Sequence, residues 1–121
     1  MRKMFTILLP VLLAMFGTTA WADQEDMEFV TGEHWMSSSL EQKRSFIFGI
    51  GNMLEIEEAM AGDDYESMRG RSVVPVLLEG LSGNSVADTV TQLDKFYAAH
   101  PDQNNRPVIE VLYLEMALPN L

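Results

Sequence analysis

Residues 38–62 read SSLEQKRSFIFGIGNMLEIEEAMAG and predict one long helix. Ser38 followed three positions later by Glu41 is a capping box, in which each side chain bonds a backbone N–H that the helix leaves without a partner. Gly62 suits the position just after a helix C-terminus. A stripe with helical spacing runs along this segment. The stripe comprises Leu40, Lys43, Ile47, Ile50, Leu54 and Glu57 and is widened by Phe46, Met53 and Met60.

Two glycines, Gly49 and Gly51, interrupt this helix. Each costs about 1 kcal/mol relative to alanine in a helix interior. We therefore expect another helix to cross closely at this point, and a kinked backbone is the alternative.

The segments next to the long helix carry turn signals. Before it, Thr31 and Glu33 frame a short helical turn that holds residues 34–36. After it, residues 62–72 are polar with glycine near both ends, which predicts a mobile loop. Residues 73–81 form an apolar run with Pro75 near its start, which fits the first turn of a helix. A strand over residues 73–78 is the alternative, but proline is rare in central strands.

Two more helices follow. Ser85 and Asp88 form a second capping box, and apolar residues at steps of four, three and four continue to His100-Pro101, which ends the helix. Asn105 is the expected cap of the last helix, with Pro107 just inside it. That helix is apolar nearly all round and should be central in the core. Its apolar residues are Val108, Ile109, Val111, Leu112, Leu114 and Met116, and Pro119 ends the pattern.

The first 22 residues have the features of a cleaved signal peptide. Arg2 and Lys3 precede the apolar run 5–16, and Ala20-Trp21-Ala22 gives a small-x-small cleavage pattern. The run is shorter than the roughly 20 residues that span a bilayer. We therefore expect a periplasmic or secreted product, residues 23–121, without a membrane anchor. It would be a single all-α domain, a small bundle of about four helices whose acidic start, residues 23–30, is frayed.

Charge and composition exclude several classes of protein. The 121 residues include 18 acidic and 8 basic ones, a net charge of -10, and removal of residues 1–22 leaves six basic residues and a net charge of −12. Such an acidic surface repels nucleic acid and favours a basic protein partner. The alternative is that the charge only keeps the protein soluble. The chain has no cysteine, which excludes disulfides and thiolate metal sites.

Catalytic motifs are missing from the chain. It has no Gly-x-Ser-x-Gly elbow, no His-Glu-x-x-His pair and no phosphate-binding glycine loop, so we expect neither an enzyme nor a bound cofactor. His34, Trp35 and Met36 offer an imidazole, an indole face and a thioether, which suit Cu(I). A copper or small-ligand carrier is therefore an alternative, against the simpler interpretation that Trp35 anchors the bundle and the methionines fill its core.

The most distinctive stretch is Asp94-Lys95-Phe96-Tyr97 with the following His100-Pro101. Phe96 and Tyr97 form a large aromatic pair, and Arg106 is placed to pair with Asp94 or Asp102. The alternative is a packed helical hairpin with the Tyr97 hydroxyl bonded to the turn. The candidate partner-binding residues are Trp35, Asp94, Phe96, Tyr97 and Arg106.

These motifs resemble a known family. They are Trp35, Lys43, Phe46 and Gly49, then Asp94-x-Phe96-Tyr97, His100-Pro101 and Pro107-Val108, and the similarity covers about residues 35–119. Together they resemble the Tai-type immunity proteins of type VI secretion, although members commonly pair cysteines that this chain lacks. The resemblance implies a periplasmic protein that inhibits a cell-wall amidase toxin. In size, export and helicity the chain also resembles the periplasmic acid-stress chaperones, which gives a second alternative function.

Overall fold

The computed structural model describes residues 28–121. The predicted signal peptide, its cleavage site after Ala22 and the lead-in up to Met27 lie outside the described residues. Within them the chain forms five α-helices and no strand, so the predicted small all-α fold is confirmed. The helices are α1 (Gly32–Ser37), α2 (Leu40–Ala61), α3 (Val74–Gly80), α4 (Val86–Ala99) and α5 (Val108–Val111).

Short turns of other helical types complete the chain. 3-10 turns lie at Gly62–Met68 and Pro101–Gln103. A π-helical segment, Leu112–Ala117, and a 3-10 turn, Leu118–Asn120, continue α5. We call residues 108–120 together the C-terminal helix. Across residues 28–121, no helix has both the length and the apolar character that a membrane crossing requires.

The core lies where α2, α3, α4 and the C-terminal helix meet. α2 contacts α3 and α4 along one face, and α3 packs on the C-terminal helix. The least exposed large side chains come from these elements and from α1: Trp35, Leu77, Leu93, Tyr97, Val108, Val111 and Leu112. The C-terminal helix is central as predicted, except that Leu114 is 42% exposed.

The capping box of α2 is one residue later than the sequence suggests. Ser39 Oγ accepts a hydrogen bond from Gln42 N at 3.2 Å, and Gln42 Oε1 accepts one from Ser39 N at 2.9 Å. Ser38 is engaged elsewhere, because its hydroxyl donates to the His34 carbonyl at the end of α1. The box predicted for α4 is confirmed, since Ser85 and Asp88 exchange both bonds.

Residues 62–72, predicted as a loop, contain the ordered 3-10 turn Gly62–Met68. Arg69 explains the order, because its guanidinium pairs with Glu66 in the turn and with Glu79 on α3. These hydrogen bonds to Arg69 hold the pKa of both carboxyl groups below the usual range. The turn is therefore fastened to α3, the helix that follows it.

The segment before α1 is bound to the segment before α5. Val108 N donates to the Val30 carbonyl at 2.8 Å, and Gly32 N donates to the Arg106 carbonyl at 3.1 Å. The lead-in is thus anchored from Val30 onward. The same bonds show why the predicted Asn105 cap is wrong: the first amide of α5 finds its acceptor in Val30, and the residue preceding the helix is Pro107.

Candidate functional site: the outer face of α2

Trp35, a candidate partner-binding residue, lies inside the protein. Its side chain is 1% exposed, and its Nε1 donates to Asp94 Oδ1 at 2.8 Å. Lys43 Nζ donates to the same oxygen at 2.8 Å and lies 5.5 Å from the Trp35 ring centroid. Phe46 packs edge-on against the indole. These contacts tie α1, α2 and α4 together.

Tyr97 is also buried, at 1% exposure. Its hydroxyl donates to the Arg106 carbonyl at 2.9 Å, as the packed-hairpin interpretation predicts. Burial raises the pKa of Tyr97 to about 12, although the nearby Arg106 charge opposes the shift. Phe96 meets Tyr97 edge-on and stacks on His100 at 4.5 Å between ring centroids. The aromatic pair is therefore largely part of the packing.

Arg106 does not make the predicted ion pair with Asp94 or Asp102. Its guanidinium contacts Glu110 at 3.1 Å and Glu115 at 3.0 Å, and these bonds, chiefly that to Glu115, raise its pKa. Asp94 already accepts bonds from Trp35 and Lys43. Of the five candidates, Asp94, Phe96 and Arg106 keep partial exposure, and their role in binding stays a prediction.

The residues considered for copper are separated by burial. His34 and Met36 are exposed, whereas the Trp35 ring is buried beside the Lys43 ammonium. The imidazole Nδ1 of His34 lies 3.3 Å from Thr31 N and helps cap α1. Among residues 28–121 there is no group of three His, Asp or Glu side chains arranged to hold a metal ion.

The most unusual surface is the side of α2 that points away from the bundle. We define it as the outer face; it comprises Ser45, Phe48, Gly49, Asn52, Met53, Ile56, Ala59 and Met60, all of them exposed. At 3.6 residues per turn these positions span roughly 140° of arc and about 22 Å of length. None of these eight residues carries a charge. The four large apolar side chains of the outer face are strongly exposed: Phe48 64%, Met53 60%, Ile56 53% and Met60 78%.

Met53 and Met60 widen the sequence stripe, and the interpretation that the methionines fill the core is wrong for both of them. Leu40, at 52% exposure, is also outside the core. The buried contribution of α2 comes chiefly from Ile47 and Leu54. A helix that is apolar on both its inner and outer sides is normally covered on both. The outer face is therefore the feature that sequence reasoning missed, although its signal, the lack of any charge on one side between residues 45 and 60, is present in the sequence.

Charges beside the outer face are predominantly negative. From residue 45 to residue 61, α2 carries Glu55, Glu57 and Glu58 and no basic residue, while Arg44 precedes the first turn of the face. Asp63 and Asp64 continue the series in the turn that follows. Carboxylates at a helix C-terminus are unfavourable, because they face the negative end of the helix dipole. A cation placed here would relieve that repulsion.

Gly49 and Gly51 do not mark the helix crossing that we expected. Among the described residues, no heavy atom lies within 4 Å of a Cβ built at either position. Close crossing occurs instead at Gly80, where a Cβ would overlap the Ala117 backbone of the C-terminal helix. Gly49 belongs to the outer face, and Gly51 lines a groove on the adjacent side of α2.

This groove lies between α2, α3 and the start of α4 and has a volume of about 470 Å³. Its walls are mainly aliphatic: Ile47, Ile50, Leu54, Leu77, Leu81 and Val86. Phe48 and Asn52 belong to both the groove and the outer face, so the two surfaces are continuous. Glu55 is the one ionisable residue among the described residues that line it.

The outer face and the adjoining groove together form an exposed apolar surface, which is the candidate functional site. Comparison with known proteins adds no relative: no protein-family model matches the chain, and neither a curated protein nor a solved structure is significantly similar to it.

Proposed function

We propose that this chain is an exported protein-binding module without catalytic activity, which acts in the periplasm as an immunity-type inhibitor of a cell-wall-active enzyme. The observation that supports binding is the exposure of Phe48, Met53, Ile56 and Met60 on one uncharged side of α2. Monomeric soluble proteins rarely expose large contiguous apolar patches, and those that they do expose mark interaction sites. Their burial contributes about 25 cal/mol per Å².

The acidic balance supports the choice of partner. Three basic residues, Lys43, Arg69 and Arg106, are already paired with carboxylates, so the remaining surface is strongly negative. The cell wall carries carboxylates, so an enzyme that acts on it is expected to have a cationic surface. Opposite charges on this chain and on such an enzyme would accelerate the encounter of the two proteins. The resemblance to Tai-type immunity proteins points to the same class of target.

Protection of cells against a periplasmic amidase tests this proposal. The amidase is exported alone or together with the full chain, and lysis is followed by turbidity. The informative variant is Met53→Gln/Ile56→Gln/Met60→Gln, because glutamine keeps the helix propensity and the charge but removes the apolar surface. A matched control places three glutamines on exposed positions of α4, Ala87→Gln/Thr91→Gln/Ala98→Gln.

We expect the wild type and the α4 control to protect, and the α2 variant to lose protection. Inhibition of the purified amidase by the purified proteins should follow the same order. Lysis in the presence of the wild type, across amidases of the different peptide-bond specificities, would refute the inhibitor function. Equal protection by the two variants would refute the role of α2.

An acid-activated chaperone is a second candidate, which one observation favours. The turn Gly62–Met68 adjoins the exposed Met60 end of α2 and is held to α3 through Arg69, Glu66 and Glu79. Protonation of these carboxyls in acid would release the turn and enlarge the apolar surface. Protection of a client protein from aggregation below about pH 4, absent at neutral pH, would support this function. An unchanged, inactive protein at that pH would exclude it.

A further inference from the structure

We infer that the outer face of α2 binds a cationic amphipathic helix of the partner, with one large apolar side chain of that helix seated in the groove beside Gly51. This inference rests on the proposed protein-binding function and names the chemistry of the bound segment. Its basis is the joint geometry of an uncharged helical face, a carboxylate border and a continuous groove.

Shape favours a helix as the bound element. The outer face is about 22 Å long and carried on a single helix, so it matches about four turns of a partner helix. Apolar side chains at three- and four-residue spacing, Met53, Ile56 and Met60, interdigitate with a stripe of the same spacing on the partner. Gly49 has no side chain at the start of this row, so the partner backbone can approach α2 most closely there.

The acidic charge around the outer face favours binding of a basic partner helix over binding of a second copy of this chain. Two copies meeting through their outer faces would bring together two strongly acidic proteins. Glu55 and Glu57 border the face on its two sides, and Asp63 and Asp64 follow it in the chain. A partner helix with an apolar stripe and lysine or arginine on its flanks satisfies these carboxylates. It also offsets their unfavourable position at the C-terminal end of α2.

The groove supplies an anchor point. Side chains that carry the most binding energy in interfaces fill well-packed pockets near the centre of the contact. The groove opens beside Phe48 and Asn52, in the first half of the outer face, and its 470 Å³ exceeds the volume of any single side chain. Gly51 leaves its α2 wall open, because among the described residues a Cβ there meets no atom within 4 Å.

A model peptide tests the inference directly. The probe is a fluorescently labelled helix of about 18 residues, with leucine on one face and lysine on the other. Two control peptides have the same length. One replaces lysine with glutamate, and the other scrambles the leucine–lysine order so that the helix has no apolar face. Binding to the full-length protein is measured by fluorescence anisotropy at low and physiological ionic strength.

We expect the leucine–lysine helix to bind and both control peptides to bind at least about tenfold more weakly. Met53→Gln/Ile56→Gln/Met60→Gln should weaken binding by a similar factor, while the α4 control variant should not. Glu55→Gln/Glu57→Gln should reduce the salt dependence. Gly51→Leu should weaken binding several-fold by filling the groove, whereas Gly51→Ala, which leaves the groove open, should have a smaller effect.

Three results would overturn the inference. One is equal binding of the ordered and scrambled peptides, which indicates charge attraction alone. Another is binding that survives the α2 glutamine variant. The third is a concentration-dependent dimer, seen by analytical ultracentrifugation, that this variant dissociates, because the face would then serve a second copy. If amidase protection depends on the outer face while the peptide fails, only the helical, cationic nature of the partner is refuted.

Discussion

Trp35 and Asp94 are 59 positions apart in the chain, yet the indole N–H donates to the Asp94 carboxylate at 2.8 Å. Lys43 reaches the same oxygen from α2 with a side chain that is only 12% exposed. One carboxylate on α4 therefore satisfies a buried donor from α1 and a mostly buried ammonium from α2. Together these groups fix the position of the N-terminal half of α2, which carries the first half of the outer face.

Removal of this carboxylate should destabilise the fold. Asp94→Ala leaves the Trp35 N–H and the Lys43 ammonium without their acceptor, and we expect a loss of about 2 kcal/mol in the free energy of unfolding. Asp94→Asn retains one oxygen acceptor and should lose less. The exposed Asp102 provides the control, and its change to alanine should stay within about 0.5 kcal/mol. Urea unfolding measures all three; equal midpoints for Asp94→Ala and Asp102→Ala would contradict this role.

Glycine substitutions should have opposite effects at two helical positions. Gly80→Ala forces a Cβ into the Ala117 backbone and should cost about 1–3 kcal/mol, because neither helix can move without disturbing the core. Gly49→Ala meets no neighbour among the described residues and should stabilise the protein by about 0.5–1 kcal/mol through helix propensity. Thermal unfolding of the two variants is the measurement. A destabilising Gly49→Ala would mean that the outer face is packed in solution.

This contrast also shows what the sequence alone can reveal. Some local signals gave the right element, because a capping serine or a helix-breaking proline acts on its own neighbours in the chain, although the capping box of α2 lies one residue later than predicted and the Asn105 cap is wrong. Ser85 capped α4, and Pro75 lies in the first turn of a helix as expected. A glycine within a helix does not by itself indicate how closely a neighbouring helix packs. It allows close approach at Gly80 and leaves space at Gly51, and only the position of other helices separates the two cases.

The local sequence pattern did not predict which residues distant in the chain form ion pairs, or which side of α2 is exposed to solvent. Asp94 and Arg106 were expected to pair because they bear opposite charges near one corner, but each finds nearer groups once the helices pack. Because α2 has apolar residues on both sides, its apolar stripe is broad. The helical spacing of these residues alone therefore does not show which side of α2 faces the bundle. The interpretation that the methionines fill the core fails for Met53 and Met60, which are 60% and 78% exposed. The charge-free arc between residues 45 and 60 would have identified a second apolar side.

Alkaline pH should destabilise the protein through Tyr97. Its pKa is raised by burial to about 12, above the value of about 10 for an unfolded chain. The neutral phenol therefore favours the folded state, and this contribution is complete below about pH 10 and lost as the pH rises toward 12. The wild type should lose up to about 2–3 kcal/mol more than Tyr97→Phe over this range. Urea unfolding from pH 8 to pH 12 compares them; parallel profiles would contradict the assignment.

Acid should weaken the junction between α3 and the turn that follows α2. Hydrogen bonds to Arg69 lower the pKa of Glu66 and Glu79. Their contribution to stability is present above the pKa of an unfolded glutamate and is lost as the pH falls through the lowered values. Glu79→Gln should therefore reduce the dependence of the unfolding midpoint on pH below about 4.5. Glu115→Gln, which breaks the ion pair between Glu115 and Arg106, is the comparison.

If the change in acid response were the same for Glu79→Gln and Glu115→Gln, the pH dependence would not arise at the turn. Amide hydrogen exchange of the turn Gly62–Met68 gives a local readout. It should accelerate in Glu79→Gln at neutral pH and remain slow in Glu115→Gln. Slow exchange in both variants would show that Arg69 does not order this segment.

The outer face should be dispensable for folding, which would separate its residues from the core residues on the same helix. Met53→Gln/Ile56→Gln/Met60→Gln changes exposed side chains only and should alter the free energy of unfolding by less than about 1 kcal/mol in total. Leu54→Gln, at a position that is 7% exposed, buries an amide in the core and should cost about 3 kcal/mol. Urea unfolding checks both. A large loss of stability in the triple variant would mean that these side chains support the bundle, and its loss of binding would then be no evidence for docking.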